Sequence, residues 1–306
     1  MGLKHILVTG SHRSGTTWVG RTLAQHPRIK YIHEPFNITH PNQQMGLRLQ
    51  TGFDYAPASP QKDDIQTAFD RLLWSTPFER AFQACKKIGL DAKTPLRFCK
   101  HVFGGYYHRF LIKDPLALLS AGWLYERYDL TVICMIRNPY AFVGSLKKAG
   151  WDFDFQHLKK QKELMQAQLA PYRDAVNAMC EGVGDFLDRA CLLWNILHFV
   201  ILDYSEKYPS WMFVKHEDIA AAPPSEFEKL FSHAGLRMSR SITAYIDEFT
   251  SSSNPAEAKS SKYAPRNSRE ALETWRKRLS DEETDRVKTA TKDVADRLYG
   301  GNLLAP

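Results

Sequence analysis

Two rhythms of apolar and polar residues run along the chain. Short apolar or β-branched runs at 5–9, 29–33, 109–113, 130–136 and 211–215 predict strands, with 96–100 as a shorter one. Between them, apolar residues recur at helical spacing over 65–74, 78–87, 116–125, 186–208, 225–234, 241–249 and 281–298. A further helix opens near Thr16 and is stopped by Pro27, another runs from Pro139 through Leu146, and a charged helical stretch covers 156–169 and ends before Pro171. Strands alternating with helices predict an α/β fold with parallel pairing. The run 130–136 is apolar without alternation, which suits a strand covered on both faces. The expected architecture is therefore three layers, α/β/α, around a central, mostly parallel sheet, with 1–306 as one domain. Residues 38–64 break both rhythms, and a long aperiodic loop inside a compact domain is usually functional or disordered.

The first strand runs straight into Gly10-Ser-His-Arg-Ser-Gly15 and then into a helix. A glycine-bracketed loop of this kind turns backbone N–H groups inward, and the following helix adds its positive end, which makes a cradle for phosphate or sulfate. The nucleotide-hydrolase form of the loop carries lysine after the second glycine and uses the next hydroxyl to hold magnesium. Here Thr16 stands in the lysine position and the cation lies inside the loop, at Arg13. That arrangement suits a smaller anionic group with no metal bridging two phosphates, so no metal is expected.

Arg13, Ser14, Gly15, Thr16, Thr17 and Trp18 resemble the first signature of the sulfotransferases that use 3′-phosphoadenosine-5′-phosphosulfate (PAPS). The resemblance implies a P-loop-like site in which these residues bind the 5′-phosphosulfate, with Arg13 also catalytic and Trp18 either stacked on adenine or packed as a core residue. Arg137-Asn138-Pro139 at the end of the apolar strand, followed by Ser145 in the next helix, is similar to the family's second signature, which grips the 3′-phosphate. Asn138 and Pro139 are placed to cap and begin that helix. Lys113-Asp114-Pro115 falls where the cytosolic branch carries Lys-Thr-His: Lys113 matches the lysine, and the histidine's role as base is vacant. Glu34, at the end of the second strand, matches the acidic residue before proline of many carbohydrate-type members and is the first candidate for that base, against a turn carboxylate that caps local amides. Asp114 is the second candidate, against helix N-capping ahead of Pro115. The segment 250–269 is expected to fold as a mobile cap over the cofactor, through Arg266 or Arg269, although the cytosolic Arg-Lys-Gly form is absent. Segments 38–64 and 151–185 are expected as acceptor-side lids, with Phe53 and Tyr55 available to stack on an acceptor. The implied acceptor is a hydroxyl of a carbohydrate or glycolipid.

Composition narrows this picture only a little. A formal net charge of +7 suits a polyanionic cofactor, or simply a solvated basic surface, and no basic run interleaved with aromatics marks a nucleic-acid face. The charged run 159–163 reads as a solvated face. Cys85, Cys99, Cys134, Cys180 and Cys191 are scattered without metal spacing, as reduced thiols would be. No stretch approaches the roughly 18 apolar residues of a membrane span, and a soluble, cytoplasmic protein is expected. The rival readings are a nucleotide kinase or hydrolase, which shares the strand, loop and helix, and a nucleotide-binding module without transfer activity.

Overall fold

A computed structural model describes residues 4–40, 45–74, 109–257 and 263–300. Its sheet has five strands, β1 (Ile6–Gly10), β2 (Ile29–His33), β3 (Arg109–Lys113), β4 (Thr131–Ile136) and β5 (Met212–Lys215), in the order β2-β3-β1-β4-β5. Every pairing is parallel, so the expected mostly parallel sheet is wholly parallel among the described residues. The predicted strand 96–100 and helix 78–87, with Cys85 and Cys99, lie outside the described residues.

β1 is central, between β3 and β4: the chain runs from β1 to β2 at one edge, returns to β3, and then crosses β1 to β4 and β5 on the other side. That reversal of strand order opens a crevice beyond the carboxyl ends of the strands, where ligands of such sheets collect. Alternation along the strands sends side chains to opposite layers. Ile6 and Val8 join Val19 and Leu23 of α1 (Thr16–Leu23) in one layer. Leu7, Ile112 and Cys134 face the other, built from α2 (Lys62–Leu73), α3 (Ala121–Tyr128), α4 (Pro139–Ala149) and α5 (Phe186–Lys207).

After β5 come α6 (His216–Ala221), α7 (Pro223–His233) and α8 (Arg240–Thr250), then α9 (Ser268–Leu272) and α10 (Asp281–Tyr299). Phe227 and Phe231 of α7 close the α1 layer, while Val287 and Ala295 of α10 pack into the α5 layer. Asn138 accepts from the amide of Tyr140 at 2.9 Å and Pro139 opens α4, as their sequence order requires.

Two boundaries differ instructively from the periodicity. The stretch 156–169 is not one helix but two short ones, Gln156–Lys159 and Lys162–Gln166. Gln161 leaves the helical region because its amide is spent on the neighbouring loop: it accepts from Tyr55 N at 2.7 Å and donates to the Phe53 carbonyl at 3.2 Å. Residues 116–125 divide similarly, into a 3₁₀ turn at Pro115–Ser120 and then α3. Within 38–64 the loop is packed rather than open. Phe53 is 2 % exposed and sits edge-on to Phe153, which makes it a core residue and removes it as a stacking surface for an acceptor.

Candidate active site

The loop from Gly10 to Gly15 lies at the crevice because β1 pairs with β4 up to its last residue, Gly10 against Met135. A Cβ at Gly10 would run into the Met135 carbonyl, and one at Gly15 into the His216 ring, so both close approaches require glycine. Gly15 takes φ 89° and caps α1 with no side chain. The first-turn amides of Thr16 and Thr17 therefore lack an intrahelical acceptor, as an anion site at a helix N-terminus requires. Arg13 also sits at positive φ, 62°, at the loop tip.

Arg13 Nε donates to Ser145 Oγ at 3.0 Å, bringing together two residues 132 positions apart that the sequence assigned to opposite ends of one nucleotide. Arg137, at the end of β4, has its backbone fixed from α5. His198 Nε2 accepts from Arg137 N at 3.2 Å, and Trp194 Nε1 donates to the Arg137 carbonyl at 2.8 Å. Burial holds His198 down to about 3, so the ring is neutral; with Nδ1 donating to the Trp194 carbonyl at 2.8 Å, Nε2 is free to accept. The Arg137 guanidinium is buried, its Nε has no hydrogen-bond partner, and Glu217 lies 3.8 Å away.

Two more arginines from the C-terminal segment complete the group. Burial lowers Arg13 first, and the charges of Arg266 and Arg278 lower it further; Arg278 and Arg13 act in the same sense on Arg137. Arg278 donates to Glu257 at 2.5 Å. Arg266 is held by its amide on the Phe249 carbonyl at 2.9 Å. Arg269 does not join the group. Its Nε donates to the Ala221 carbonyl at 3.1 Å, where it satisfies the end of α6. Arg278 is the residue that the sequence reading missed, and Lys259 and Lys262 lie outside the described residues.

On the β2–β3 side the polar groups form a pair. Lys113 is fully buried and its ammonium donates to Glu34 Oε1; Asn37 Nδ2 donates to Glu34 Oε2 at 2.6 Å. Burial alone would raise Glu34, but the charge and hydrogen bond of Lys113, helped by Asn37, hold it below the usual carboxylate range. Burial likewise pulls Lys113 down, partly offset by Glu34. Glu34 has φ 43°, a left-handed backbone that a non-glycine residue adopts only where surrounding contacts impose it. Asp114 imposes part of it: Oδ2 accepts from Phe36 N at 2.6 Å, and Oδ1 accepts from Leu116 N at 2.9 Å. Asp114 is thus the cap of the 3₁₀ turn and an anchor of the Glu34 turn. Both of its oxygens are engaged.

Trp18 packs edge-on against Phe227 and His216, with ring centres 5.4 and 5.7 Å apart, the contacts that its core reading anticipates. His12, which drew no attention in the sequence, is buried between Phe53, Phe142 and Trp151, and burial drives it down to about 3. It ties the anion loop to the chain at Phe53 and at Trp151. No local signal marks it, because its partners come from distant segments.

A parallel doubly wound sheet with an amide loop, converging arginines and a buried carboxylate–ammonium pair defines an α/β group-transfer enzyme of the P-loop-like class. The chain belongs to the sulfotransferase family, whose profile matches residues 5–240. It is similar to carbohydrate sulfotransferase 5 of Mus musculus, 23% identical over 93% of this chain and 77% of that protein. Carbohydrate sulfotransferase 7 of Mus musculus is 29% identical over 94% of this chain and 72% of that protein. In fold it is similar to the sulfotransferase domain from the curacin biosynthetic pathway, with TM-score 0.50, 14% identity, and 96% and 97% of the two chains covered. Among the described residues no helix is long and apolar enough to cross a membrane.

Proposed function

We propose that this enzyme transfers the sulfuryl group of PAPS to a hydroxyl of a saccharide or glycolipid. One observation supports the donor above others: four arginines from four separate stretches, Arg13, Arg137, Arg266 and Arg278, converge beside an uncapped helix N-terminus. Glu217 and Glu257 are the carboxylates set against them. Gathering like charges is costly unless an anion arrives, and a nucleotide with a phosphate at one end and a phosphosulfate at the other supplies charge at both ends of the cleft. The orphaned Arg137 Nε suits a phosphate oxygen.

In this reading the amides of Ser14 to Thr17, with the Thr16 and Thr17 hydroxyls, hold the 5′-phosphosulfate, and Arg137 with Ser145 and Arg266 takes the 3′-phosphate. Sulfuryl transfer passes through a loose, in-line transition state, so catalysis is positioning and charge stabilisation, by analogy with phosphoryl transfer. Lys113 turns from Glu34 to the departing phosphate oxygen, joined by Arg13. Once Lys113 turns away, the charge that keeps Glu34 weakly basic is lost, and Glu34 takes the acceptor's proton as the hydroxyl oxygen attacks sulfur. The carbohydrate acceptor is supported by the Glu34-Pro35 corner and by the relatives' names.

The test is incubation with ³⁵S-labelled PAPS and a panel of saccharides and glycolipids. Label in a saccharide product, with one adenosine bisphosphate released per transfer, is expected. Magnesium-dependent ATP turnover without sulfuryl transfer would return the kinase reading, and tight bisphosphate binding with no labelled product would return the binding-module reading.

A further inference from the structure

The last turn of α10 meets the arginine group through a single carboxylate. Tyr299, the final residue of that helix, donates its hydroxyl to Glu217 Oε2 at 3.3 Å, across 82 positions of sequence. Glu217 Oε1 accepts from Asn138 N at 3.1 Å. Each carboxylate oxygen is thus tied to a neutral donor. Arg137 Nε, 3.8 Å from Oε1, has no hydrogen-bond partner. From the end of β5 the Lys215 ammonium stands 4.7 Å from the centre of the Tyr299 ring.

The tyrosine is held by its own helix and by α5. Gly300 takes φ 62° and its amide closes α10 on the Asp296 carbonyl at 2.8 Å. Arg297 donates to Glu206 of α5 at 2.9 Å, and Asn195 of α5 donates to the Ala290 carbonyl at 2.8 Å. α5 is also the helix that fixes the Arg137 backbone, through Trp194 and His198. One helix therefore sets both ends of the path that runs from Tyr299 through Glu217 to Arg137, and the tether has a fixed length.

Glu217 and Arg137 are opposite charges held just beyond hydrogen-bond reach. Burial raises Glu217 and the charge of Arg137 is the largest restraint on that rise, so the carboxylate is drawn toward the guanidinium. A guanidinium that closes on a carboxylate can bind it through two parallel bonds, each about twice as strong as a neutral one. Glu217 closed on Arg137 would occupy donors that a phosphate needs and set a negative charge beside it. We propose that Tyr299 is a positioning residue for donor binding: its hydroxyl tethers Glu217 away from Arg137 and so keeps that guanidinium open to the 3′-phosphate. The inference rests on the reading of Arg137 given above and extends it to a residue on the C-terminal helix, which acts only through Glu217.

The test measures, by calorimetry on the whole chain, the affinities of adenosine 3′,5′-bisphosphate and of adenosine 5′-monophosphate, which lacks the 3′-phosphate. Tyr299→Phe is expected to weaken the bisphosphate by about tenfold, as loss of one hydrogen bond to a charged group would, and to leave the monophosphate unchanged. Glu217→Gln in the Tyr299→Phe background is expected to restore bisphosphate affinity, because an amide has no charge to close on Arg137. Three results overturn the tether: bisphosphate affinity unaltered in Tyr299→Phe, equal losses for the two ligands, or a double variant as weak as Tyr299→Phe alone. Equal losses would mean that the hydroxyl only holds α10 in place. A wild type that binds no bisphosphate overturns the donor reading itself and this inference with it, an outcome distinct from the other three.

Discussion

The two flanks of the crevice solve their electrostatics in opposite ways. On the β4 flank, Arg13, Arg137, Arg266 and Arg278 crowd together with Glu217 and Glu257 as the opposing charges, leaving positive charge in excess. On the β2 flank, Glu34 and Lys113 satisfy each other and are nearly sealed. An excess of like charge around the buried Arg137 is a site that waits for an anion. A closed ion pair is a site at rest, since breaking a buried pair without replacing a partner costs about 3–5 kcal/mol. In the proposed mechanism the first flank gains stability when donor binds, whereas the second acts only after something else draws off Lys113. Donor before acceptor is the order that this contrast implies.

The comparison breaks most sharply at Glu34. Glu34→Gln is expected to lower turnover by about 10²- to 10⁴-fold, the range for a general base, while bisphosphate affinity in calorimetry stays put. Full turnover in that variant would transfer the role of base elsewhere, and Asp114, with both oxygens engaged by amides, is poorly placed to receive it. Arg13 touches Ser145 on one flank, and in the proposed mechanism it serves the leaving oxygen on the other. Arg13→Ala is expected to cut turnover by about 10²- to 10³-fold, as removal of one oxyanion donor does, and near-wild-type turnover would remove it from the reaction.

Within the arginine flank the effects should grade with position. Arg137→Ala is expected to weaken bisphosphate binding by about 10- to 100-fold, the worth of a charged hydrogen bond. Arg278→Ala should weaken it less, since Arg278 is shared with Glu257. Arg269→Ala should leave affinity unaltered because its guanidinium serves the end of α6. Equal losses at Arg269 and Arg137 would mean that the C-terminal segment closes differently over ligand.

How much of this was legible follows from how each part is built. The anion cradle is contiguous, Gly10 to Trp18, so its chemistry is written in local order; Arg137 and Ser145 are fixed to one another by a strand end and two turns of α4. Glu34, Lys113 and Asp114 could be placed because strand ends converge in a parallel sheet. Their division of labour could not, since it depends on which oxygen meets which amide. Arg278 was missed and Arg269 misassigned because the path from 263 to 280 is set by tertiary packing, with Trp275 stacked on Tyr140. Phe53 was read as exposed for the same kind of reason: its cover, Phe153 and the carbonyl contact of Gln161, lies about a hundred residues away.

The smallest effect separates two carboxylates on one flank. Glu34 is held below the usual range, so its contribution to stability is present above its unfolded pKa and is lost as pH falls through the folded one. Asp114 runs the other way. It is fully buried, and burial raises it to about 7; Glu34 adds to the rise, while the Phe36 and Leu116 amides and Lys113 restrain it. Between about 4, the unfolded value, and 7 the folded chain keeps a proton that the unfolded chain has released. Asp114 therefore stabilises fully below that range and progressively less as pH rises through 7, with a slope of at most about 1.4 kcal/mol per pH unit. Urea midpoints at pH 5 and pH 8 should show the wild type losing stability at the higher pH, and Asp114→Asn should flatten that loss because an amide has no proton to release. A decline that survives the substitution would assign the proton to another buried group and leave Asp114 charged beside Glu34. In that case Lys113 would be balancing two carboxylates, and the resting pair on this flank would be a triad.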